Sequence, residues 1–533
     1  MHPFMKALTV ACVTLGLTIA SGLAGEPKSG GILKMYHRDS PASASIMEEA
    51  TYSTLTPFMG VFNNLVLYKQ DVPQNTLDSI EPELATSWSW SADNKTLTFK
   101  LRTGVKWHDG KPFTAKDVVC TMDQVRGKST TNPLRKNPRL AWYQNVTDVT
   151  ANGDDEVVFT LARPQPSLLA LLASGYGPMY PCHVSARDMR VAPIGTGPFK
   201  FVEFKANESI KLTRNPDYWK PGRPYLDGIE FTIIPNRSTA LLAFVAGKFD
   251  MTFPTEVSVP LLKDVMAQAP QAICVLAPQN VSSNVIINRD KPPFDNADIR
   301  RAMALTIDHH AFVDILSEGK ANIGAAMLPG PEGVWGMPDE MLRKLPGYDP
   351  DVEKSRAEAR KLMEKSGYGP NNRLKVKIST RNIPTYRDPA VILIDHLKHI
   401  YIDGELDVVE TANWDAKVSR KDYVVGLNLT GSAVDDPDQN FYENYACGSA
   451  RNYAGYCNKD LQALFDKQSQ ITDIEARKKL VWEIDAKLQE DIARPIIYHL
   501  RSATCWQPYV KGYSPMVNSS YNGYRFEGVW LDK

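Results

Sequence analysis

The stretch VDDPDQNFYENYACGSARNYAGYC, residues 434–457, concentrates side chains that bind ligands. Asp435, Asp436, Asp438 and Glu443 are interleaved with Phe441, Tyr442, Tyr445, Tyr453 and Tyr456. Carboxylates accept hydrogen bonds from a cationic group, and aromatic faces attract the same charge. The pattern therefore fits a grip on a cationic ligand. Cys447 and Cys457 bracket a short loop containing Gly and Asn, which fits a disulfide-stapled surface loop equally well. What surrounds the stretch must decide.

Catalytic arrangements are missing from the sequence. It holds no G-x-S-x-G nucleophile elbow and no H-E-x-x-H zinc motif. GKSTT at Gly127 has the end of a phosphate-binding loop without the leading glycine, and GTGPFK at Gly195 runs into proline and strand residues where a dinucleotide would need a helix. His396 and His399, with Asp395 beside them, share a helical face and are read as solvated helix surface; no metal and no cofactor are expected. His309 and His310 are adjacent and cannot share a helix face, and His108 lies beside a turn. The chain reads as a non-enzyme.

Several elements must position these groups. Leu97, Phe99 and Leu101 alternate with polar residues, the period of a half-buried strand. Asp109-Gly110 marks a turn, and Thr114 with Asp117 predicts a capped helix start. Alternating strands are expected at Phe199–Phe201 and Ile210–Leu212 and again from Gly228, and a helix followed by a strand from Ser238. Helices follow from about Asn296, from Asp351 to a stop at Gly367, and from Thr472, whose capping partner is Glu475. Strands mixed with helices throughout define an α/β architecture.

The chain has 533 residues, which predicts two or three domains. Its 61 basic residues balance 61 acidic ones, giving no reason to expect nucleic acid or an anionic membrane as partner. Lys6, the apolar run from Ala7 to about Ala20, and Gly22-Leu23-Ala24 have the form of a signal peptide cleaved after residue 24. SLLALLASG from Ser167 is too short to span a bilayer. Export would remove Cys12 and leave Cys120, Cys182, Cys274, Cys447, Cys457 and Cys505 for disulfides in an oxidising compartment. Cys447–Cys457 is the pairing that the short loop favours.

Several strings resemble those of the extracellular solute-binding proteins of family 5, which include periplasmic dipeptide-, oligopeptide- and nickel-binding proteins. They are FNNLVLYK from Phe62, IEPELATSWSWSADNKTLTFKLRTGVKWHDGKPFTAKDVV from Ile80, GTGPFKFVEFK from Gly195, RNPDYWKPGRPYLDGIEF from Arg214, PPFDNADIRRAMALTID from Pro292, GYDPD near Asp349 and DDPDQ at Asp435. They occur in family order over nearly the whole mature chain. The resemblance implies an α/β, bilobed periplasmic binding protein of the cluster C type, with a subdomain inserted in lobe I and a two-crossing hinge. Lobe I would comprise residues 25–62, 195–285 and 505–533, the inserted subdomain 63–194, and lobe II 286–504. It implies a periplasmic monomer that captures a small polar solute, a peptide or peptide-like molecule, and delivers it to the permease of an ATP-binding-cassette importer. A sugar or opine-type conjugate, a nickel chelate, or a sensory role is the alternative. Pairing of Cys274 with Cys505 near the hinge, and of Cys120 with Cys182 in the inserted subdomain, is also implied.

The resemblance also nominates ligand-binding residues. Peptide-binding relatives place an aspartate four residues before the proline of the acidic segment, against the ligand ammonium. Four before Pro437 stands Ala433, so Asp435 and Asp436 become the candidates for that role. Arg381 and then Arg387 fit the place of an arginine that meets a ligand carboxylate through two parallel hydrogen bonds. His37, Arg38 and Asp39 would enter the cleft, with Trp414 and Asn428 as wall residues. The acidic end of the opening stretch would face the cleft, and its Tyr-Cys end would be scaffold at the rim.

Overall fold

The structure, a computed structural model, describes residues 26–533; the expected signal segment lies outside them. The chain forms two α/β lobes. In the first, a four-stranded sheet runs in the order Ile32–His37, Gly228–Ile233, Ser209–Arg214, Phe199–Lys205. A second four-stranded sheet, wholly antiparallel, is built from Ala85–Trp90, Thr96–Leu101, Glu156–Leu161 and Val146–Ala151. The alternation of Leu97, Phe99 and Leu101 turns all three inward, where they are 5% exposed or less. Helix Ala115–Val125 starts as its capping pattern requires, with the Thr114 N–H donating to Asp117 at 3.0 Å.

The other lobe is built on a five-stranded sheet in the order Ile402–Val409, Leu374–Arg381, Val425–Gly431, Ile273–Ile287, Ile496–Trp506. Its last two strands are 15 and 11 residues long, against 6 or 7 for the strands of the first lobe's four-stranded sheets. At about 3.4 Å per residue, the longer spans roughly 50 Å, enough to run from one lobe into the other. Their antiparallel register is interrupted between Pro278 and Ser282. Pro278 has no N–H to donate, and Asn280 has a left-handed φ of 51°. The strand expected after helix Arg237–Val245 is reduced to isolated bridges: Met251 pairs with Met35 in parallel and with Trp506 in antiparallel. That residue joins the two lobes' sheets.

Three disulfides join Cys120 to Cys182, Cys274 to Cys505 and Cys447 to Cys457, with Cα separations of 5.6, 4.1 and 4.7 Å. Cys274 and Cys505 lie directly opposite each other on the two long strands. GTGPFK is a close backbone approach: a Cβ on Gly195 would lie 1.9 Å from the Val61 carbonyl oxygen, which only glycine permits. One local expectation needs correction. Helix Ile474–Glu490 is capped by Asp473, which accepts from the Ala476 N–H at 2.7 Å, and not by Thr472. Among the described residues no helix is long and apolar enough to cross a membrane.

Candidate ligand-binding site

A cleft lies between the lobes. Arg38, Thr51, Tyr52 and Tyr521 line it from the first lobe. Arg381, Trp414, Asp415, Asn428, Arg451 and Tyr453 line it from the other. Arg38 is placed by the end of strand Ile32–His37, Asp415 and Trp414 by helix Thr411–Ser419, and Asn428 by strand Val425–Gly431.

Each cleft arginine meets a carboxylate, although Glu256 also faces Arg237 and Glu443 also faces Arg139. Arg38 donates from Nη1 to Glu256 at 3.1 Å, and its guanidinium lies 5.4 Å from the centre of the Tyr52 ring. Burial works against that charge, but Glu256 and Asp39 outweigh it and hold Arg38 protonated above the ordinary arginine range. Arg451 donates from Nη1 to Glu443 at 3.0 Å. Arg381 donates from Nη1 to the Tyr386 hydroxyl at 3.0 Å and from Nη2 to Asp39 at 2.8 Å and to the Thr411 hydroxyl at 2.9 Å.

Asp39 therefore links the lobes. It accepts from Arg381 and Thr411 on one side and from Ser53 on its own. Burial alone would raise its pKa; Arg381, Arg38 and His37 outweigh burial and hold it below the ordinary carboxylate value. Ser167 to Asp438 at 2.6 Å and Arg163 to Tyr442 at 2.7 Å also cross between the lobes. The lobes are closed on each other.

Of the residues nominated from sequence, Arg38, Arg381, Trp414 and Asn428 line this cleft. Asp39 lies behind it as the partner of Arg381. His37 is fully buried, its Nε2 against the Ser53 carbonyl oxygen at 2.9 Å, and burial pushes its pKa down to about 4. Arg387 lines a separate groove with Arg237, Asp388 and Arg501. Asp435 and Asp436, nominated as ammonium anchors, are engaged elsewhere. Asp436 caps helix Pro437–Asn444 and takes two hydrogen bonds from Arg477 at 2.7 and 2.8 Å. Asp435 accepts from the Val334 N–H at 3.2 Å. Standing two residues and one residue before Pro437, where Ala433 stands four before it, these carboxylates fall at the helix start.

The stapled loop expected to be rim scaffold instead supplies Arg451 and Tyr453 to the cleft. Sequence reasoning missed these two, together with Tyr52, Tyr521 and Asp415. The signal available was an arginine and a tyrosine held between paired cysteines, where a short staple fixes both. At Asp415 it was an acidic neighbour of Trp414. Ala433, four residues before Pro437, is fully buried; its N–H donates to Gln439 at 2.7 Å and its carbonyl accepts from Ser519 at 2.8 Å.

A cleft of this kind between two α/β lobes joined by paired long strands defines a solute-binding protein. The chain belongs to the bacterial extracellular solute-binding proteins, family 5, whose profile matches residues 79–452. It is 26% identical to heme-binding protein A of Haemophilus influenzae, over 92% of this chain and 90% of that protein. It is also 26% identical to di/tripeptide-binding protein 1 of Pseudomonas aeruginosa, over 89% of each. The fold matches that of Haemophilus influenzae OppA in complex with RPPGFSPFR, with a TM-score of 0.83, 22% identity, and coverage of 95% of this chain and 99% of that one. Members of the family are substrate-binding proteins, found in the periplasm or outside the cell.

Proposed function

We propose that this chain is the periplasmic capture component of an ATP-binding-cassette importer for a small polar solute, a peptide or peptide-like molecule. In this reading residues 1–24 are a cleaved signal peptide. The lobes divide at the strands Ile273–Ile287 and Ile496–Trp506, which act as the hinge. Residues 63–194 form a subdomain of lobe I, and the mature protein is a monomer that hands its cargo to a permease. The observation that carries the reading is the inter-lobe cleft, lined from both sides by buried arginines and aromatic rings. A solute held there contacts both lobes at once, so binding and closure are one event. The di/tripeptide-binding relative supports the same class.

The test is mass spectrometry of small molecules released by denaturing the mature protein purified from periplasm. Di- or tripeptides, or close derivatives, are the expected yield. Rebinding of the recovered compound should shrink the radius of gyration in small-angle scattering. A recovered compound that binds without compaction would remove the capture-by-closure reading.

A further inference from the structure

One charged group of the cleft lining has no close partner, and it identifies a reading group. Arg38, Arg381 and Arg451 meet Glu256, Asp39 and Glu443 respectively, with Glu256 also 3.6 Å from Arg237 and Glu443 3.9 Å from Arg139. Asp415 is the one acidic residue of the lining, and among the described residues its carboxylate accepts no hydrogen bond and forms no ion pair. It is partly buried and also lines a second, neighbouring pocket. Ala50, Asp415, Arg451 and Tyr453 line both spaces. On the opposite wall, Arg38 is 7% exposed, and beyond its bond to Glu256 its Nη2 has no acceptor among the described residues. Arg451 is 8% exposed.

A bare anion entering this cleft would meet guanidinium groups that already hold carboxylates, and an unpaired carboxylate. A bare cation would leave buried guanidinium donors unmet. A molecule with both an ammonium and a carboxylate satisfies each, since buried polar groups left unpaired are costly. We propose that Asp415 is the ammonium acceptor of this cleft, with Arg38 meeting the carboxylate across it, so that the ligand is a small zwitterion spanning the two lobes. Ala433 carries no charge, and helix Thr411–Ser419 supplies the anchor in its place. Arg381 has its Nη1 and Nη2 engaged by Tyr386, Asp39 and Thr411, and serves the closed form instead of the ligand. This inference rests on the solute-binding reading above.

The experiment is titration calorimetry of the full mature protein with Ala-Ala and Ala-Ala-Ala, each as the free peptide and as its N-acetyl form. The wild type is expected to bind the free peptides about 30-fold more tightly than the acetylated ones, as loss of a charge-assisted hydrogen bond implies. Asp415→Asn should bring the free peptides to within about 3-fold of their acetylated forms, and Asp415→Glu should restore part of the difference. Ligand-free Asp415→Asn should unfold at the wild-type temperature, because the carboxylate holds no protein group. Asp415→Asn that keeps the wild-type preference overturns the inference and leaves solute capture standing. Wild-type protein that binds only the acetylated peptides does the same. If none of the four probes binds, the anchor and the peptide reading fall together.

Discussion

At Asp435 the physics of one carboxylate sets a pH dependence. Burial pushes its pKa up from 3.8 to about 7, and the Val334 N–H and Asn518 amide offset only part of that. An acid whose pKa is higher when folded binds its proton more tightly in the native state. Its contribution to stability is most favourable below about pH 4, falls as the pH rises toward 7, and is level above that. Asp435→Asn keeps an acceptor oxygen and removes the buried charge. The side chain is partly exposed and water screens it, so the expected gain at pH 8 is about 1–2 kcal/mol instead of the full shift. Thermal unfolding at pH 8 and pH 4 checks the sign: the variant should gain at the first and not at the second. The carboxylate once nominated to grip a ligand thus shows itself in stability.

Among the elements, helix Pro437–Asn444 does the most for the site. It presents Glu443 to Arg451 and Asn440 to the Ala326 carbonyl, and its start is held by Asp436 as cap. Arg477 ties that start down, meeting both oxygens of Asp436 and one of Asp438. Arg477→Ala would leave two carboxylates without their cation in a site where the arginine is 6% exposed. Breaking a buried pair on one side costs about 3–5 kcal/mol, which a drop in the urea midpoint would register. A loss under about 1 kcal/mol would mean that water reaches this cluster freely. The sequence made the elements themselves readable because their signals are local: the alternation at Leu97–Leu101, the cap at Thr114, the close approach at Gly195. The family strings made the two-lobed arrangement readable as well. The cleft was less so. Arg38, Asp415, Arg451 and Tyr521 meet only after closure of long stretches of chain, and no spacing rule records where a side chain faces across two lobes. Arg381 illustrates the limit, since its place in the cleft was legible and its bond to Asp39 was not.

For the molecule as a whole, the contacts that cross between the lobes differ in how much they can contribute to closure. Arg163 and Asp466 approach to 2.5 Å, but their side chains are 26% and 45% exposed. Such pairs are worth about 0–1 kcal/mol, because water and side-chain entropy oppose them. Arg381 and Asp39 are 3% and 12% exposed, and Asp39 also accepts from Thr411 and Ser53. When the lobes open, both charges regain water, so the pair's net worth to closure is less than its contact energy. Removing one partner is different. Asp39→Ala leaves Arg381 enclosed in the closed form with Tyr386 and Thr411 alone, a penalty absent from the open form. A penalty of about 2 kcal/mol on the closed state raises the apparent Kd roughly 30-fold, since ligand must draw the lobes together against it. Arg163→Ala should change the Kd by less than about 5-fold. Thr411→Val, which removes one hydroxyl from the same cluster, should fall between them. Calorimetry with the compound recovered from periplasm gives the order, and small-angle scattering shows whether each ligand-free variant is more open than the wild type. Equal effects at Asp39 and Arg163 would mean that the ligand alone holds the lobes shut. The expected order instead places part of the closing energy in the protein, in a buried ion pair that forms only when the cleft does.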